Sequence, residues 1–250
     1  MSNPAVLLYN NLVHWNLPPD NRRNVPPQAK ATPAKHRGLT TNFDHALRMH
    51  EIALGYIAEI RELLDTYEAV TGTDVDEFRR ELPNWTAMVL SYDNGWGQAK
   101  LFDENSLRWL KTLGPMLAPL VPEFTDEDIS EVDKGLKELL EILRQEKTIG
   151  RELTVYLLNL VNHMKWVLAD AKLQGDFKLA RVVTLLRDSV ATADEVSTTP
   201  QLKPLYKRVL DKFKRKDVIV GAFEIGTAAA RTIDAVQNVL PPGVLGTSGQ

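Results

Sequence analysis

From Thr125 to Val196 the chain carries its longest run of helix-type periodicity. Ile129, Val132, Leu136, Leu139 and Leu143 recur at three- and four-residue steps, as do Leu153, Leu157, Leu160, Met164, Val167 and Ala171. Such spacing draws an apolar stripe down one side of a helix, and that stripe has to be buried against neighbouring helices. The stripe lapses between Glu146 and Arg151, where Gly150 stands, which predicts a turn that folds two long helices into an antiparallel pair. No stretch alternates apolar and polar residues as a half-buried strand would. The fold class expected is all-α, a multi-helix bundle with a Pro-rich N-terminal arm and long antiparallel helices in the C-terminal half.

Composition sets limits on function more than it suggests one. A chain of 250 residues with 44% apolar and 25% charged side chains can bury a sizeable core, so wholesale disorder does not fit. The net charge of −3 gives no global attraction to nucleic acid, so such a role requires a local basic patch. The chain has no cysteine, which removes disulfides, thiolate zinc sites, iron–sulfur clusters and cysteine nucleophiles, and fits a reducing cytoplasm. No run of apolar residues is long enough for a transmembrane helix, and residues 1–17 lack the charge pattern of a signal peptide.

The organisation divides at residues 38, 122 and 240. Residues 1–38 comprise an apolar segment (Val6, Leu7, Leu8, Tyr9, Leu12, Val13, Trp15) that docks on the main body or a partner. A basic arm follows, rich in proline: Pro18, Pro19, Pro26, Pro27 and Pro33 alternate with Arg22, Arg23, Lys30, Lys35 and Arg37. Residues 39–122 form an N-terminal helical lobe. Its long helix starts at Thr40 or Thr41, with Phe43, Leu47, His50, Leu54, Ile57, Leu64 and Tyr67 as its seam, and Thr71-Gly72 ends it. Asp74 caps the next helix, Pro83 stops it, and Asn84 caps a short third one. A turn is expected at Asp93-Asn94-Gly95, and a helix from Asp103 or Asn105 is closed by Gly114-Pro115. Residues 123–240 form a C-terminal bundle capped at Thr125, with Gly175 ending one helix, Asp176 capping another, and a final helix over Val218–Leu240. Residues 241–250 are a flexible tail.

The usual catalytic constellations are missing from the sequence. His45 and His50 sit roughly 140° apart around a helix and do not converge on one ion. Neither a phosphate-binding glycine loop nor a nucleophile elbow occurs. No catalytic residue, cofactor or metal ligand is expected; an enzyme would have to use His50, on an apolar seam, or His163, near Asn159.

Two features carry hypotheses. Lys203, Lys207, Arg208, Lys212, Lys214, Arg215 and Lys216 form a basic segment relieved only by Asp211, with Tyr206 and Phe213 on its apolar side. It serves either as a phosphate-binding face for nucleic acid or anionic lipid, or as a counter-charge to the acidic stretch 123–146 of the same chain. In the final helix, Ile219, Phe223, Gly226, Ala230, Ile233 and Leu240 make a close-packing seam suited to the core or to a homo-oligomer interface. The reading is a cytoplasmic, non-enzymatic helical protein that acts by self-assembly or by binding a protein partner, as scaffold or regulator. The alternative is a nucleic-acid or membrane-surface binder acting through 203–216. On the first reading, deleting residues 1–38 weakens assembly and leaves helicity intact.

Overall fold

The computed structural model of the chain describes residues 3–16, 33–90 and 102–213, all within the compact unit Met1–Val218. The Pro-rich stretch 17–32, the turn at Asp93-Asn94-Gly95, Lys214, Arg215, Lys216, the final helix and the tail lie outside the described residues. Those described form an all-α bundle, without a strand among them.

The apolar N-terminal segment is a helix, α1 (Pro4–Trp15), docked on the main body. Ala5, Leu8, Leu12 and Trp15 are buried at steps of three and four. Asn3 performs two tasks at its start. Its side-chain oxygen accepts from the Val6 amide at 3.1 Å, and its Nδ2 donates to the Gly114 carbonyl at 2.8 Å. After α2 (Pro33–His36) and a turn at Gly38 comes α3 (Phe43–Thr71), capped by Asn42 and ended by Gly72 in the left-handed region, at φ 68°.

The buried face of α3 is rotated from the one expected. His50, Ile57 and Leu64 are buried, but Phe43 and Leu47 are 58% and 54% exposed, and Ala46, Ala53, Tyr56, Ile60 and Leu63 take the inside. Small alanines face inward because α1 and its Trp15 ring lie close there; bulk alone misassigned the stripe.

Two proline expectations are also corrected. α4 (Asp76–Leu90) runs through Pro83 without restarting at Asn84, and α5 (Glu104–Leu117) runs through Gly114-Pro115 into a 3₁₀ turn at Ala118–Leu120. An interior proline costs about 3 kcal/mol or more, and burial of a large apolar side chain returns about 1.5–3 kcal/mol. Beyond Pro83, Trp85, Met88 and Val89 are buried; beyond Pro115, Leu117 and Leu120 are. The Trp85 indole also donates to the Ser106 carbonyl at 3.0 Å, fixing α4 on α5. Tertiary burial therefore carries both helices past their local stop signals.

The second half has an apolar core of its own, extending from Val132 to Phe213 and containing no residue of α3. α6 (Asp126–Gln145) opens with a full capping box between Thr125 and Asp128, and its first-turn acids oppose the helix dipole. Glu146 begins the expected turn, and α7 (Arg151–Ala169) follows. That helix breaks at Asp170, ahead of a separate α8 (Ala171–Gln174); Gly175, at φ 82°, then takes the cap position before α9 (Asp176–Val196). Asp176 is consequently a first-turn residue and not the cap. α10 (Lys203–Lys212) closes the described chain against α6 and α9, with Tyr206, Val209 and Phe213 buried.

A carboxylate holds this half together. Glu146, 8% exposed, accepts from the Thr148 amide at 2.8 Å, the Thr148 hydroxyl at 2.6 Å, the Ser197 hydroxyl at 2.5 Å and the Thr199 hydroxyl at 3.2 Å. Tyr206 adds a fifth donor at 3.3 Å. One side chain thus joins the α6–α7 turn, the α9–α10 turn and α10 through neutral donors.

Candidate functional site

α10 places four of the basic residues picked out from the sequence. Arg208 pairs with Glu138 of α6 at 2.9 Å, and Lys212 reaches Glu131 and Glu138 at 3.5 and 3.6 Å. Lys203 turns to Asp194 at 3.4 Å. Lys207 is exposed. Lys214, Arg215 and Lys216 lie outside the described residues, as do Ile219, Phe223, Gly226, Ala230, Ile233 and Leu240.

His50 is a packed, hydrogen-bonded residue. Its ring is stacked on Trp15 at 4.4 Å, Nδ1 lies 2.6 Å from the Ala46 carbonyl, and Nε2 lies 3.3 Å from the Arg37 guanidinium. Burial lowers its pKa, as does the Arg37 charge, against the opposing Ala46 bond. Arg37 is itself buried, beside the Trp15 and Phe102 rings. It donates to the Val89 carbonyl at 2.6 Å and the Met88 carbonyl at 2.8 Å. Those are end carbonyls of α4, where a cation opposes the negative pole of the helix dipole. Burial brings the Arg37 pKa down to about 10. With Trp15, Arg37 and His50 all buried, this cluster joins α1, α3 and α4.

Among the described residues, the densest group of perturbed side chains lies where α3 meets the corner formed by α7, α8 and α9. Arg48 pairs with Asp170 and lies over the Trp166 ring at 5.5 Å. The Tyr56 hydroxyl donates to the Leu173 carbonyl, and Arg181 grips Glu62 with contacts of 2.7 and 3.0 Å. Between these links Glu59 is 8% exposed, and its Oε2 accepts no hydrogen bond. Lys178 donates to Gln174 Oε1 at 2.8 Å and lies 4.6 Å from the Trp166 ring centre. The Gln174 side chain is fully buried, with its Nε2 unpaired.

Electrostatics at this junction follow from burial. Desolvation pushes the Glu59 carboxyl up to about 7, against the pull of Lys178 and Arg181 and with a further push from Glu62. Burial lowers the Lys178 ammonium, which Glu59 and Glu51 partly restore. His163 is lowered by burial and then by Lys178. Sequence reasoning singled out His163 but missed Glu59, Gln174 and Lys178. The available signal was positional: Glu59 sits between Tyr56 and Leu63 on the apolar side of α3, where a glutamate is out of place.

No protein-family model matches the chain, and no curated protein or solved structure matches it.

Proposed function

We propose that the protein acts by association, with itself or with a protein partner, as a non-enzymatic cytoplasmic scaffold or regulator. The observation that carries this reading is the pairing of exposed apolar side chains at helical spacing. Phe43 and Leu47, four residues apart on α3, are 58% and 54% exposed; Val155 and Leu158, three apart on α7, are 48% and 36% exposed. Single exposed apolar residues are ordinary, but side chains three or four apart on a helix share one face and form a patch suited to a partner. The final-helix seam from Ile219 to Leu240 adds a further apolar stripe in the sequence.

The nucleic-acid or anionic-membrane reading has less support. Arg208 and Lys212 are engaged with carboxylates of α6, as a counter-charge within one chain would be. Light scattering on the full-length protein as it elutes from a sizing column, with absorbance at two wavelengths, separates the two. Association predicts a discrete oligomer with a protein-like 260/280 nm ratio. A monomer with excess 260 nm absorbance would contradict it and direct mutagenesis to Lys207 and its neighbours.

A further inference from the structure

Arg48, Tyr56, Glu59 and Glu62 fall on one stripe of α3, roughly 120° wide at 100° per residue. Opposite them stand Asp170, the Leu173 carbonyl, Lys178 and Arg181. The three outer links each leave a partner in contact with water, whereas Glu59 lies inside. We propose that Glu59 is a proton-operated latch between α3 and the α8–α9 corner: protonated, it lets the junction close, and on losing its proton it lets the junction open locally while the apolar core of α6–α10 stays folded.

Three observations support this. A buried carboxylate with an unpaired oxygen pays a desolvation cost that the neutral acid avoids. The cations beside it are already engaged, Lys178 with Gln174 and the Trp166 ring, Arg181 with Glu62. The core of α6–α10 closes without any side chain of α3, so the junction can part with that core intact.

The charged groups around Glu59 come from each packed element. α3 contributes Glu51, Glu62 and Tyr56, with Arg48 held by Asp170 at the end of α7. α9 contributes Lys178 and Arg181, and α7 contributes His163 by way of Lys178. α8 presents Gln174, its Lys172 being exposed. Among the groups acting on Glu59 itself, desolvation and Glu62 outweigh the two cations. For an acid raised in the closed state, closure is fully favoured below the ordinary carboxyl range and weakens as pH rises to the closed-state value. Moving one carboxyl from 4.5 to about 7 corresponds to an opening that grows tenfold per pH unit and about 300-fold in all.

Amide hydrogen exchange on the full-length protein, read on peptides covering 52–64 and 171–182 between pH 4.5 and 8 and corrected for intrinsic exchange, tests this. Local opening should rise about 300-fold and level off above pH 7, while peptides over 136–143 keep their protection. Glu59→Gln should hold the junction at its low-pH protection throughout; Glu62→Gln, at the exposed link, should retain the rise. If Glu59→Gln does not fold, Lys178→Gln should delay the plateau to higher pH, because it removes a cation that favours the ionised form. Protection independent of pH in the unaltered protein, or a rise that survives Glu59→Gln, would overturn the proposal.

Discussion

The Phe213 ring lies over Gly135 so closely that a Cβ added there would stand 2.7 Å from Cε1 and 3.2 Å from Cζ. This contact seats the end of α10 on the middle of α6. Alanine in a helix interior is worth about 1 kcal/mol over glycine, so propensity alone would make Gly135→Ala stabilising. Overpacking a filled core costs about 1–3 kcal/mol, and Phe213 is fully buried. Net destabilisation of up to about 2 kcal/mol is expected from denaturant unfolding. Stabilisation would mean that α10 sits further from α6 than described.

Glu146 makes a pH prediction with a definite sign. Burial alone would raise its pKa, but donors from Ser197, Thr148 and Thr199 outweigh burial and bring it down to about 2. A carboxyl depressed in the folded state contributes stability that is fully present above its unfolded value and is lost as pH falls through the folded one. Between pH 4.5 and about 2 the protein should therefore lose on the order of 3 kcal/mol through this group. Glu146→Gln should remove most of that acid sensitivity and lower stability at neutral pH, measured by urea unfolding at each pH.

These two positions show what the sequence could and could not reveal. The Thr125 cap, the helix end at Gly72 and the turn before Arg151 rest on local chemistry within a few residues, and all were legible. Pro83 and Pro115 were misread because the gain that carries the helices past them comes from burial against distant helices. The α3 stripe was misread because Ala46 and Ala53 carry little bulk, though α1 packs on that side. Glu59 was overlooked although Tyr56 and Leu63 flank it on the apolar side, because a glutamate on a long helix reads as solvated until a corner more than a hundred residues later covers it.

Asn3 separates capping from docking. Asn3→Ala should cost about 1–3 kcal/mol by losing the cap on α1 and leaving the buried Gly114 carbonyl short of a donor. Asn3→Asp caps a helix as well as asparagine, yet it lacks the donor and sets a carboxylate against that carbonyl. It should be at least as destabilising as alanine in thermal unfolding. An aspartate variant as stable as the asparagine protein would show that only the cap matters.

Because Leu8, Leu12 and Trp15 are buried, deleting residues 1–38 should not leave helicity intact, contrary to the sequence-based expectation. Removing three such side chains costs several kcal/mol, and circular dichroism should show loss of helix in the first half. Replacing only 17–32 with an equally long Gly/Ser linker should spare helicity, and it is the variant to use in asking whether the arm assists assembly.

Sedimentation equilibrium on the full-length protein over a wide concentration range tests the central claim most directly. It should be run beside a Phe43→Ser, Leu47→Ser, Val155→Ser, Leu158→Ser variant. Substitutions at exposed positions typically change stability by about 0.5 kcal/mol or less, so the variant should stay folded. Self-association through these faces predicts a concentration-dependent oligomer that the variant shifts toward monomer. A species that is monomeric at every concentration, or an oligomer the four substitutions leave unchanged, would contradict it.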